Sequence, residues 1–151
     1  MRLENRVPFF MRILLARFFL SCIIIRYMAN YKNEIRGVLT TFKALADLNR
    51  LRIVLSLRGG QLCVCQIIAL IGLAPSTISK HLSILHQADL VEVEKQGRWI
   101  YYRLSPAVDK RLMKWLETAL ENDETIGTDT TTLKRILKED PEKLCQKIRG
   151  N

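Results

Sequence analysis

The sequence predicts a mainly α fold that carries one β-hairpin. Three observations do so: four successive segments with apolar residues at helical spacing, a change to two-residue alternation near residue 90, and a return to helical spacing after Ser105-Pro106. A chain of 151 residues holds one domain with a real core plus some terminal chain.

Between Tyr31 and Asp47, residues Ile35, Val38, Leu39, Phe42, Leu45 and Ala46 recur at helical spacing, so this segment reads as an amphipathic helix. Asp47 is placed to cap a second helix bearing Leu51, Ile53, Val54 and Leu57, which Gly59-Gly60 would end. A third helix, Leu62–Ile71, is nearly apolar and stops at Gly72. The fourth, Pro75–His86, begins with a proline suited to a first helical turn. It turns Ile78, Leu82 and Leu85 inward and Ser76, Thr77, Ser79 and Lys80 outward. "LVEVEK" and "RWIYYRL" alternate as strands on either side of Gln96-Gly97, a two-residue hairpin connection. Ala107–Glu121 returns to helix, with Val108, Leu112, Trp115, Leu116 and Leu120 on one side. "NDETIGTDTTT" reads as a polar linker, and the last residues of the chain as a weak terminal helix or two, broken at Pro141. The expected organisation is an extension over 1–28, the folded domain over 29–121, and a linker with a C-terminal tail over 122–151.

The apolar run "RILLARFFLSCIII" falls short of the roughly 20 residues that span a bilayer and contains Arg17. No small-residue cleavage site follows it, as a signal peptide requires. "MANYKNE", starting at Met28, is a plausible soluble N-terminus, so translation is expected to begin there, giving a cytoplasmic protein with no membrane partner. If residues 1–28 are genuine, a membrane-anchored interaction protein is the competing expectation.

The net charge of +9 is unevenly spread: +4 over residues 1–28, +5 over 29–104 and zero over 105–151. The folded middle therefore carries the basic excess that suits phosphate. Two short helices meeting across Gly72-Leu73-Ala74, followed at once by a hairpin, make a winged helix-turn-helix. Its second helix would present Ser76, Thr77, Ser79 and Lys80 to base edges, and the hairpin tip would present Lys95 and Arg98 to the DNA backbone or minor groove. Taken singly, the hydroxyls are equally well read as capping residues; together with the basic excess they favour double-stranded DNA. His81 points near the inward face and reads as a satisfied structural histidine, and His86 as a residue at a helix end. No nucleophile–base pair, phosphate loop or acid/base carboxylate pair stands out, so neither an enzyme nor a required cofactor is expected.

Cys22, Cys63, Cys65 and Cys145 do not form an evident disulfide framework, and reduced thiols are the expectation.

"FKALADLNRLRIVLSL", "LCVCQI" and "GLAPSTISKHLSILHQADLVEVEKQGRWIYYRL" occur in order and at matching spacing, and together they resemble the ArsR/SmtB (arsenic-repressor) family of metal-sensing transcriptional regulators. The resemblance covers roughly residues 38–104. It implies a homodimer built from the Tyr31–Asp47 and Ala107–Glu121 helices, bound to an inverted-repeat operator and released by metal. Arsenite sensors of the family carry "ELCVCDL" where this chain has "QLCVCQI", so Cys63 and Cys65 carry over as thiolate ligands of trivalent arsenic or antimony. Gln61 and Gln66 replace the flanking acids, and Ile68 stands where some members have a third cysteine. The Ala107–Glu121 helix has no histidine, which argues against the zinc sites of other members.

Thiolate sulfur is a soft donor that selects soft ions, and a helix N-terminus favours the thiolate form. If both cysteines lie in an intact helix, their sulfurs point about 200° apart around its axis. Bridging them would then unwind the first turn, and Cys145 is a candidate third ligand from a mobile tail, though an unpaired surface cysteine is its simpler reading. A sensor of cadmium, lead or thiol oxidation, and two small buried hydrophobes, are the alternatives for Cys63 and Cys65.

Overall fold

The structure, a computed structural model, describes residues 34–149. The 1–28 extension, with Cys22 and Met28, and the first residues of the leading helix lie outside the described residues. Residues 34–45 are helical (α1), and the residues from Thr40 onward form one unit. Within it follow α2 (Leu48–Ser56), a 3-10 turn (Leu57–Gly59), β1 (Leu62–Cys63), α3 (Val64–Ile71) and α4 (Pro75–Gln87). The wing strands β2 (Val91–Gln96) and β3 (Trp99–Leu104) come next, and then α5 (Lys110–Ala119), α6 (Glu124–Ile136) and α7 (Pro141–Arg149). Among the described residues no single helix is long and apolar enough to cross a membrane.

Local chemistry places the boundaries of the middle elements. Asp47 caps α2, its Oδ1 accepting the Arg50 N–H at 3.0 Å. Gly72 ends α3 at φ +77, a left-handed position, and its N–H donates to the Ile68 carbonyl at 2.9 Å. Pro75 occupies the first turn of α4. There it loses no helical hydrogen bond. The hairpin turns one residue later than expected. Gln96 pairs with Trp99, so Gly97 and Arg98 form the connection. Gly97 at φ +62 supplies the positive angle a two-residue turn needs at its first central position, which Gln96 would adopt only under strain.

The core runs through α2, α3, α4 and the base of the wing, with Ile53, Val54, Ile67, Ile78, Leu82, Leu85 and Val91 sealed from solvent. Strand order is β1-β3-β2, all antiparallel, and Leu62 and Cys63 pair with Tyr102 and Tyr101. The start of α3 is thereby joined to a strand of the wing.

The segment expected to be a linker is the helix α6. Asp123 caps it, accepting the N–H groups of Thr125 and Ile126 at 2.9 and 3.1 Å. Thr130 and Thr131 turn their hydroxyls onto carbonyls four residues earlier. Arg52 of α2 donates to both carboxylate oxygens of Asp129 at 2.7 Å, and Ile136 enters the core. Threonines are weak helix formers, so propensity alone argues for a linker; the partly buried ion pair and apolar contacts override it. The tail is ordered as well. Asp140 accepts the Glu142 N–H at the start of α7, and Leu144 and Cys145 are buried. Both α6 and α7 pack on α3.

Candidate nucleic-acid interface and thiol site

On α4, Ser76, Ser79 and Lys80 are exposed and Thr77 is half-buried, while Ile78, Leu82 and Leu85 hold the helix from below. Ser79 Oγ donates to the Pro75 carbonyl at 2.9 Å, which leaves its lone pairs outward. Gly72-Leu73-Ala74 set α4 immediately after α3, with the N-terminal turn of α4 uncovered. On the wing, Lys95 and Arg98 are exposed. Among the described residues Lys80 and Lys95 form no ion pair, whereas Arg98 is paired with Glu142 of α7 at 2.5 Å and lies 5.2 Å above the Trp99 ring. Arg103 is neutralised across the strands by Glu92 at 2.7 Å.

His81 does face inward, but it is not satisfied. Its Nδ1 has no hydrogen-bond partner and stands 3.8 Å from Asp47 Oδ1. His86 ties the end of α4 to the wing, with Nδ1 3.1 Å from the Val91 carbonyl oxygen. The Arg50 N–H, and then the Arg50 charge, hold the Asp47 carboxyl below its ordinary 3.8. Hydrogen bonds from Arg111 hold Asp109, at the start of α5, down to about 2. Burial pushes the Tyr102 hydroxyl up.

The two cysteines of "LCVC" are not on one helix. Cys63 has extended backbone (φ −75, ψ 156) as the N-cap of α3 and is 1% exposed; Cys65 lies in the first helical turn. The about 200° separation expected of two helical residues therefore does not apply, because the β1–β3 pairing keeps Cys63 extended. Gln66 supplies support of another kind than a charge. It is buried, and its Oε1 accepts the Cys63 N–H at 2.9 Å. Cys65 is joined to Cys145 of α7 by a disulfide, with Cα atoms 5.3 Å apart across a sequence separation of 80. The expectation of four reduced thiols, and of Cys145 as an unpaired surface residue on a mobile tail, is corrected on this point: Cys145 is 3% exposed because α7 lies on α3. Cys63 is a free thiol. No group of three or more His, Cys, Asp or Glu side chains poised to hold a metal occurs among the described residues.

Sequence reasoning missed Glu142 and Asp129, and it offered Cys145 as a possible companion of Cys63 and Cys65 without marking a covalent bond to Cys65. Each lies in the C-terminal region whose charge is balanced and whose apolar pattern is weak, so no local signal marked it.

Helix α1 exposes Ile35, Val38, Leu39 and Phe42, and on α5 Trp115 is 62% exposed. Isolated exposed apolar residues such as Trp115 are ordinary, whereas a run of four at helical spacing, as on α1, is the pattern of a contact surface.

Residues 47–93 match the family model described as "Bacterial regulatory protein, arsR family". The chain is 42% identical over 79 residues to an arsenical resistance operon repressor of Escherichia coli, covering 52% of this chain and 68% of that one. It is 36% identical over 105 residues to an arsenic resistance transcriptional regulator of Pseudomonas putida, covering 66% and 82%. Among solved structures, the homodimeric winged helix-turn-helix DNA-binding domain of a Mycobacterium bovis protein superposes with a TM-score of 0.56 at 28% identity, over 60% of this chain and 84% of that one.

Proposed function

The chain belongs to the arsR family of bacterial regulatory proteins, and from that premise we propose that it is a homodimeric, cytoplasmic repressor that leaves its operator when trivalent arsenic or antimony binds its thiols. It is a winged helix-turn-helix regulator and not an enzyme. In this reading Ser76, Thr77, Ser79 and Lys80 enter the major groove, and Lys95 and Arg98 hold phosphates or line the minor groove. The α1 stripe and α5, with Trp115, form the dimer surface, so that two copies of α4 meet the two halves of an inverted repeat.

Cys63 and Cys65 are the inducer ligands, with Cys145 as the third. The observation that carries this is the position of the thiols. Cys63 is the N-cap of the first helix of the helix-turn-helix, and Cys65, in its first turn, stands against Cys145. In the reduced form these are soft donors matched to a soft trivalent ion. Drawing Cys63 toward Cys65 opposes the Cys63 N–H···Gln66 bond and the pairing with Tyr101. The strain thus reaches the wing through β3 and the recognition helix through α3. Moving the operator from mostly bound to mostly free takes only about 1–5 kcal/mol of differential binding.

A gel-shift titration on the upstream region tests the reading. Arsenite and antimonite are expected to release the wild-type protein, and the C63S and C65S variants to stay bound. Normal release of both variants by arsenite would remove the cysteines from the mechanism. Failure to shift any inverted repeat would remove DNA. The Cys65–Cys145 bond also favours a second reading, a sensor of thiol oxidation, which including peroxide in the same titration separates. Cadmium and lead are further competitors there.

A further inference from the structure

Helix α7 touches both ends of the switch. Cys145 is bonded to Cys65 at the start of α3, and Glu142, three residues earlier on the same helix, pairs with Arg98 at the tip of the wing. Leu144 between them is buried and Ile148 packs on the same core, so α7 is held by apolar packing at its C-terminal half, one covalent bond and one charge contact. Arg98 and Glu142 are both exposed, and an exposed ion pair contributes little to folding. Its consequence is positional: a carboxylate occupies the guanidinium that would otherwise meet a phosphate.

We propose that α7 is a thiol-controlled latch on the wing: closing the Cys65–Cys145 bond docks Glu142 against Arg98 and takes that arginine out of DNA contact. The inference rests on the reading of Arg98 as a DNA contact. The closing step is an exchange with a low-molecular-weight disulfide such as oxidised glutathione. One protein thiolate attacks the small disulfide and expels a small thiol; the second protein thiolate then attacks the mixed disulfide and expels the other. Two protein thiols give up two electrons and two protons, and the small disulfide becomes two thiols. Reduction reverses the sequence and leaves α7 held by apolar packing and the exposed Arg98–Glu142 pair, which is too weak by itself to keep Glu142 on the wing. Lys95 has no ion pair among the described residues, so α7 leaves this cation of the hairpin tip free.

The test uses the full chain, oxidised with glutathione disulfide or reduced with dithiothreitol. Trypsin needs the Arg98 side chain, so initial cleavage of the Arg98–Trp99 bond, followed by mass spectrometry, reads the latch without DNA. Cleavage is expected to be at least about fivefold slower in the oxidised protein. E142Q, which keeps the disulfide, and C145S, which cannot form it, are each expected to lose the difference. Equal rates in oxidised and reduced wild type overturn the latch. On an upstream duplex, oxidation is expected to weaken binding roughly tenfold and to lower the salt slope by about 1 per protomer, as for one lost phosphate contact. An unchanged slope overturns the role of Arg98 in DNA contact. If no form binds any upstream duplex, the repressor reading fails, while the cleavage rates still decide whether α7 closes on the wing.

Discussion

The helix-turn-helix with its wing and the C-terminal pair α6–α7 are built on opposite terms. In α3, α4 and the wing, local rules and tertiary packing agree. Pro75 starts α4, Gly72 ends α3, and the apolar positions of α4 are the buried ones. In α6 the threonine-rich interior is a poor helix former despite the Asp123 cap, and long-range contacts secure the helix as Arg52 grips Asp129 and Ile136 reaches the core. In α7 a cysteine, an acid and a leucine each engage a different part of the domain. Elements that satisfy their own rules make a rigid reading head. Elements that exist through a few long-range contacts can be released by breaking one of them.

The largest effect expected of that contrast is in the head. Leu82→Ala removes a sealed side chain beneath α4 and should cost about 4 kcal/mol in urea unfolding, with DNA binding lost in step. Asp129→Ala leaves the Arg52 charge poorly paired and should cost about 3 kcal/mol. If the contrast is right, that loss shows as early proteolysis between α5 and α6 while the wing stays protected in hydrogen exchange. Uniform loss of protection would make α6 as integral as α4.

A smaller effect tests a cap inside the head. Asp47→Ala should cost about 1 kcal/mol at pH 7. The folded-state carboxyl is held below 3.8, so its contribution is complete above that value and drains away as pH falls through the lower folded value. Wild type and variant should therefore converge in stability on acidification below about 3.8; a gap that persists there would mean that the substitution damages packing instead. The smallest effect on folding belongs to Lys95→Ala, which should change stability by less than about 0.5 kcal/mol. It should nonetheless lower the salt slope of DNA binding by about 1 per protomer, and an unchanged slope would take Lys95 off the DNA.

By itself the amino-acid order determined the helix-turn-helix, the wing, the cap at Asp47, the stop at Gly72 and the outward set on α4, because each follows from periodicity or from one residue's own backbone preference. It also singled out Cys63 and Cys65, since their chemistry is visible without coordinates. The turn at Gly97-Arg98 was legible to within one residue, and only strand register placed it. Tertiary structure alone decided that Cys63 stands in a strand outside α3, that Cys145 bonds to Cys65 and leaves Cys63 free, and that Glu142 faces Arg98. The physical reason is separation along the chain. A bond across 80 residues, or an ion pair across 44, leaves no trace in any local window, because neither partner's own preference depends on the other until packing of α7 on α3 brings them together.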